Sequence, residues 1–182
     1  MIEDPDLLLL RRFAKGDDDA LGELAARYER PLLGLAMGLL GDRELAKDAV
    51  QETWLRVIKS AAHFAGASTV KTWVYRILIN RSLDLRARKA RTPLAAPMGE
   101  DAAPGPTPEQ AAHHLENGRL LRHAVDTLTP DQRLILLLSY HEGLSHSAAA
   151  EVLTIPVGTL KSRLHAALTH LRATIAPEQA HE

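Results

Sequence analysis

Five residues near the C-terminal end of the chain carry hydrogen-bonding and cationic groups at close helical spacing: Thr159, Lys161, Ser162, Arg163 and His165. They lie off an apolar stripe of Val157, Leu160, Leu164, Leu168 and Leu171, whose spacings of 3 and 4 predict a helix with one buried side. Short donors and cations in the first half of such a helix suit contact with base edges and phosphates in a DNA major groove. The preceding residues supply the element that would position it. Ser145 is a good N-cap for a short helix whose apolar face is Ala149, Val152 and Leu153. Thr154 and Ile155 break the pattern, and Pro156 suits the first turn of a new helix, where a missing N–H costs nothing. The stretch 143–163 reads as a helix-turn-helix.

A second group lies earlier. Asp48, Gln51, Glu52 and Arg56 are spaced by 3, 4 and 8 and share an outer stripe on a helix expected over 43–60, with Leu45, Ala49, Val50, Trp54, Val57 and Ile58 on its buried side. A third group combines aromatics and cations. Lys71, Tyr75, Arg76 and Asn80 fall on the next helix, with Tyr75 expected on its polar side and Trp73 at the core edge. Phe64 stands in a connection of small residues between the two helices. Interleaved aromatic and basic groups suit bases drawn out of a single strand, and a loop aromatic suits closing over one; Phe64 could equally plug the core.

The chain that must hold these groups has 182 residues and no cysteine, so disulfides, thiolate metal sites and cysteine nucleophiles are excluded. The apolar run 7–10 is too short to span a bilayer and is flanked in the wrong order for a secretion signal, which points to a cytoplasmic protein with no membrane insertion. The net charge is −1, yet 71–91 carries Lys71, Arg76, Arg81, Arg86, Arg88, Lys89 and Arg91 against the single acid Asp84. A local basic face binds phosphate even when the total charge is near zero, and the weak overall charge suggests that a larger partner helps the chain reach DNA.

Strand signals are nearly absent, and an all-α protein is expected: two small helical domains joined by a Pro-rich flexible linker, the second containing the helix-turn-helix. The first domain covers 1–92, with helices expected over 5–15, 18–40, 43–60 and 70–91. Pro31 is expected to bend or split the second of them, and Gly34 and Gly38 to weaken it. The linker is placed at 93–108, where Pro93, Pro97, Pro104, Pro106 and Pro108 permit neither helix nor strand. The second domain covers 109–176. Within it Thr129, Pro130 and Gln132 mark a capped helix start, a core helix fills 134–138, and Glu142-Gly143 ends it. A frayed tail is expected over 177–182.

The motifs Asp48-Ala49-Val50-Gln51-Glu52-Thr53-Trp54-Leu55-Arg56 and Thr72-Trp73-Val74-Tyr75-Arg76-Ile77 with Asn80 resemble region 2 of bacterial sigma factors of the extracytoplasmic-function (ECF) group. Leu128-Thr129-Pro130, Glu142-Gly143-Leu144-Ser145 and 155–164 resemble region 4 of the same group, although His146 replaces a common aromatic there. The resemblance covers nearly the whole chain in the right order. It implies that Asp48, Gln51, Glu52 and Arg56 dock on core RNA polymerase. It implies that Phe64, Lys71, Tyr75, Arg76 and Asn80 melt and hold the minus-ten element of promoter DNA. It implies that Thr159, Lys161, Ser162, Arg163 and His165 read the minus-thirty-five element. An anti-sigma factor is expected as a further partner, the free chain is expected to be a monomer, and no cofactor, metal or covalent chemistry is implied.

Two other classes fit less well. A response-regulator output domain shares the second motif but requires an α/β receiver domain, where 1–92 reads as helices. A metal site would draw on the 9 histidines, yet the pairs His141/His146 and His165/His170 are five apart and do not share a helical face. No phosphate loop, nucleophile elbow or acid–base cluster supports an enzyme.

Overall fold

The computed structural model describes residues 4–91 and 123–175. The expected linker, the helical start near 109, the pair His113-His114 and the tail lie outside the described residues. Among the described residues there is no strand.

Four helices form the first half. Helix α1 (Pro5–Ala14) starts at the Asp4 cap, whose carboxylate accepts from the Asp6 N–H at 3.0 Å. Helix α2 (Asp18–Leu40) starts at Asp17 and ends at Gly41, where φ of 61° suits a residue without a Cβ. Pro31 neither ends nor splits α2. An interior proline costs about 3 kcal/mol, and the stripe Leu24, Tyr28, Leu32, Leu35 and Ala36, almost wholly removed from water, offsets it.

Helix α3 (Arg43–Ser60) is capped by Asp42, which accepts from the Glu44 and Leu45 amides at 3.1 and 3.2 Å. Its core side is Ala46, Ala49, Val50, Thr53 and Val57, and the buried Thr53 hydroxyl donates to the Ala49 carbonyl at 2.7 Å. A turn of 3-10 helix (Ala61–His63) leads to α4 (Val70–Arg91), which is preceded by Thr69; the Thr69 hydroxyl accepts from the Thr72 N–H at 3.1 Å.

The second half is built on the Thr129 capping box. Its hydroxyl accepts from the Gln132 N–H at 3.3 Å while the Gln132 amide oxygen accepts from the Thr129 N–H at 3.0 Å. Helix α5 (Pro130–Leu136) runs on into a wider π-type turn (Leu137–His141), in which the Glu142 N–H reaches the Leu137 carbonyl at 2.9 Å. Helices α6 (His146–Leu153) and α7 (Val157–Ile175) complete the unit. Thr154 closes α6 in the left-handed region with φ of 55°, a conformation a β-branched residue rarely takes.

The two halves are packed together. Helix α6 lies on α4, and α5 meets α2, where Gly38 admits the Leu137 side chain: a Cβ at Gly38 would stand 3.2 Å from Leu137 Cδ1. One apolar core runs through both halves, from Leu10, Leu24 and Leu35 through Leu78 and Ile79 to Ile135, Leu138 and Leu160.

Candidate functional site

The helix-turn-helix holds α7 by its apolar side. Leu160, Leu164 and Ala167 are buried, and Leu168 and Leu171 are half-buried. Val157, expected in this stripe, is instead 39 % exposed, at the first position of α7. The Ser145 hydroxyl caps α6 by accepting from Ala148 N–H at 3.2 Å. On the opposite side of α7, Lys161, Ser162, Arg163 and His165 are all exposed and Thr159 is half-exposed. Ser162 donates back to the Thr159 carbonyl at 3.0 Å, and Arg163 stands 3.6 Å from the Asp131 carboxylate. Both contacts are solvent-exposed and weak, so either side chain is available to another acceptor.

Helix α3 presents Asp48, Gln51 and Arg56 to solvent. Glu52 differs: it accepts from Arg81 of α4 at 2.6 Å, which ties α3 to α4. The apolar positions of α3 exceed what the bundle covers. Ile58, expected in the core, is 43 % exposed, and Leu55 is 47 % exposed. With Trp54, Val50 and Leu33 they line an open groove of about 380 Å³ between α2 and α3, edged by the polar residues Glu29, Lys47 and Gln51. The signal for this groove lies in the sequence: apolar residues at 50, 54, 55, 57 and 58 span a wider arc than one buried stripe needs.

Helix α4 departs most from expectation. Tyr75, expected on the polar side, is fully buried. Its ring meets Tyr28 edge-on at 6.3 Å, and its hydroxyl donates to the Glu142 carboxylate. The physical reason is that α4 is covered twice, by α2 and α3 on one side and by α6 on the other. Burial, reinforced by the Glu142 carboxylate, pushes the Tyr75 phenol pKa upward; burial and Asp6 do the same to Tyr28. Lys71 lies 5.5 Å from the Tyr75 ring centroid and donates to the Glu142 carbonyl at 2.5 Å. Arg76 pairs with the Glu151 carboxylate at 2.6 Å. Asn80 is exposed. Further along, Lys89 pairs with Asp42 at 2.9 Å and, with the Leu45 and Glu44 amides, holds the Asp42 carboxyl below the usual carboxylate range. Much of the basic stretch is thus matched by acids within the chain.

Phe64 is half-buried, with its ring centroid 4.8 Å from that of Trp73. The pair forms an aromatic shelf at the start of α4. Among the described residues no group of three or more His, Asp or Glu side chains is arranged to hold a metal ion, and no helix is long and apolar enough to cross a membrane.

The sequence model of the Sigma-70 region 2 family matches residues 24–92, and that of Sigma-70 region 4 matches residues 118–171. The RNA polymerase sigma-H factor of Pseudomonas aeruginosa is 30% identical to this chain, over 97% of each. The ECF RNA polymerase sigma factor SigW of Bacillus subtilis is 30% identical over 90% of this chain and 92% of its own length. In fold the chain is similar to the sigma factor RpoE of Bartonella quintana, solved in complex with the anti-sigma factor NepR: the TM-score is 0.67 at 22% identity, over 86% of this chain and 96% of that one. With α3 and α4 inside one match and the helix-turn-helix inside the other, the chain belongs to the ECF group of the sigma-70 family of RNA polymerase sigma factors.

Proposed function

We propose that this chain acts in the cytoplasm as an alternative sigma factor that binds core RNA polymerase, brings it to a particular set of promoters and assists strand opening. The observation that carries this reading is the order of two modules in one chain, a region 2 bundle before a region 4 helix-turn-helix, the latter with Lys161, Ser162, Arg163 and His165 on its outer face.

Each module has its task. The first half of α7 enters the major groove of the upstream minus-thirty-five element, where Arg163 and Lys161 have the length and charge to reach guanine O6 and N7 or a phosphate. Thr159, Ser162 and His165 add shorter hydrogen bonds that fix register. Asp48, Gln51, Glu52 and Arg56 dock on polymerase, with the groove of Trp54, Leu55 and Ile58 as the apolar part of that surface. Phe64, Lys71, Tyr75, Arg76 and Asn80 capture the unpaired strand of the minus-ten element. An aromatic accepts an unstacked base at low cost because every base has a π-face, and the cations neutralise its phosphates. The chain contributes no covalent step; catalysis stays with the polymerase. The groove on α3 is also a surface for an anti-sigma factor, a class of partner seated on the Bartonella quintana relative.

The test is co-elution of the purified chain with core RNA polymerase on gel filtration, beside Asp48→Arg. Co-elution of the wild type alone supports the reading and the docking face. Failure of the wild type to co-elute refutes it, and the chain becomes a stand-alone DNA-binding regulator.

A further inference from the structure

Three of the four groups on α4 assigned above to single-stranded DNA, Lys71, Tyr75 and Arg76, are held by the second half of the chain, while Asn80 is exposed. Lys71 donates to the Glu142 carbonyl and Tyr75 to the Glu142 carboxylate. Arg76 donates to both the carboxylate and the carbonyl of Glu151, at 2.6 and 3.2 Å. The partners are 67 to 75 residues away in sequence, so these contacts report the placement of one module on the other. They are also chemically apt. A carboxylate beside an arginine and a carbonyl beside a lysine fill the places that phosphate oxygens take in a nucleic-acid complex.

We propose that region 4 is an intramolecular latch on region 2: Glu142 and Glu151 occupy the nucleic-acid face of α4, and the minus-ten groups become available only when α5 and α6 lift away.

Three observations fit a latch built to release. The junction includes a buried polar group, with Glu142 only 7 % exposed and its Oε1 without a hydrogen-bond partner, so it is incompletely satisfied. Elsewhere along the same junction, where α2 and α4 meet α5 and the turn that follows it, a cavity of about 170 Å³ is lined by Gly38, Arg86, Arg133 and Leu137 among others, so the two surfaces do not close fully. At Gly38 the absence of a side chain is what admits Leu137. Domain contacts of this imperfect, partly polar kind open and close readily.

The masking rests on the reading of α4 as a single-strand-binding surface, and the experiment separates the two. The chain has no cysteine, so donor and acceptor dyes go on the full-length protein through Ala26→Cys and Ala166→Cys, both at exposed positions. Two latch variants are compared with the parent. Glu142→Gln with Glu151→Gln removes the charges. Gly38→Leu wedges α2 away from Leu137 without changing charge, and improves the helix propensity of α2. The probe is a labelled single-stranded 12-mer DNA of random sequence. High energy transfer in the parent, a clear fall in both variants and at least a threefold gain in DNA affinity in both are expected. Unchanged transfer in Gly38→Leu, or low transfer already in the parent, overturns the latch. A fall in transfer with flat DNA affinity upholds the latch but overturns α4 as the DNA face, and the masking with it.

Discussion

The apolar groove on α3 gives a quantitative prediction. Leu55 and Ile58 are 47 % and 43 % exposed. Burying a side chain of this size completely is worth about 1.5–3 kcal/mol, so covering the exposed part of each adds about 0.7–1.4 kcal/mol. Truncating both, Leu55→Ala with Ile58→Ala, therefore removes about 1.3–2.7 kcal/mol from docking, or roughly a 10- to 100-fold loss of affinity. Folding loses the half of each side chain already covered, partly recovered because alanine is the better helix former. The variant should stay helical at 25 °C and melt somewhat lower. Competition binding to core RNA polymerase with a fluorescent wild-type chain measures the effect. Leu8→Ala, at a residue 52 % exposed on α1, is the control for losing an exposed leucine elsewhere and should leave affinity unchanged. An affinity of the double variant within twofold of wild type, with helicity intact, refutes the groove as part of the docking surface.

Three further outcomes are expected. Lys161→Ala and Arg163→Ala should each weaken upstream duplex binding by about 1–3 kcal/mol where a base contact is lost, or lower the salt slope by about one where a phosphate contact is lost; salt-dependent anisotropy distinguishes these, and no change in either variant removes α7 as the reader. Phe64→Ala should impair strand opening more than initial promoter binding, as read by permanganate reactivity of unpaired thymines; wild-type footprints would return Phe64 to a packing role beside Trp73. The raised pKa of the Tyr28 and Tyr75 phenols means that the folded state holds its protons where the unfolded chain, at about 10, releases them. Their contribution to stability is complete below that value and is lost as pH rises beyond it. Phenolate absorbance from these two residues should therefore rise together with the loss of far-ultraviolet helicity, and ionisation well ahead of unfolding would show that neither is buried.

Helix limits were legible wherever a side chain marks them. Pro130 with the Thr129 box and Ser145 are local chemistry, and the helices expected over 18–40, 43–60 and 70–91 are found over those residues. As a point of division Pro31 was misleading, because a local penalty of a few kcal/mol is outweighed by the burial of an entire helical stripe, which a window of sequence does not weigh. Tyr75 was misleading for a different reason. Its neighbours Lys71, Arg76 and Asn80 are polar, and polarity ordinarily signals solvent; here Lys71 and Arg76 face Glu142 and Glu151 instead. Periodicity shows that a face exists and not what lies against it, above all when the partner is some 70 residues away. Ile58 shows the converse, an apolar residue that the described residues leave 43 % exposed. On α7 the outward placement of Lys161, Ser162 and Arg163 followed directly from the register of Leu160 and Leu164.

The turn at Leu137–His141 has a consequence for how this chain tolerates change. Its hydrogen bonds close over one residue more than an α-helix allows, so everything downstream is rotated relative to α5 by the width of that extra residue. Replacing a letter within the turn leaves this angular offset in place. Deleting one codon would restore the ordinary pitch and swing Glu142 away from Tyr75 while leaving the composition of both modules nearly intact. The arrangement of the two modules therefore depends on the length of this turn as well as on the residues in it.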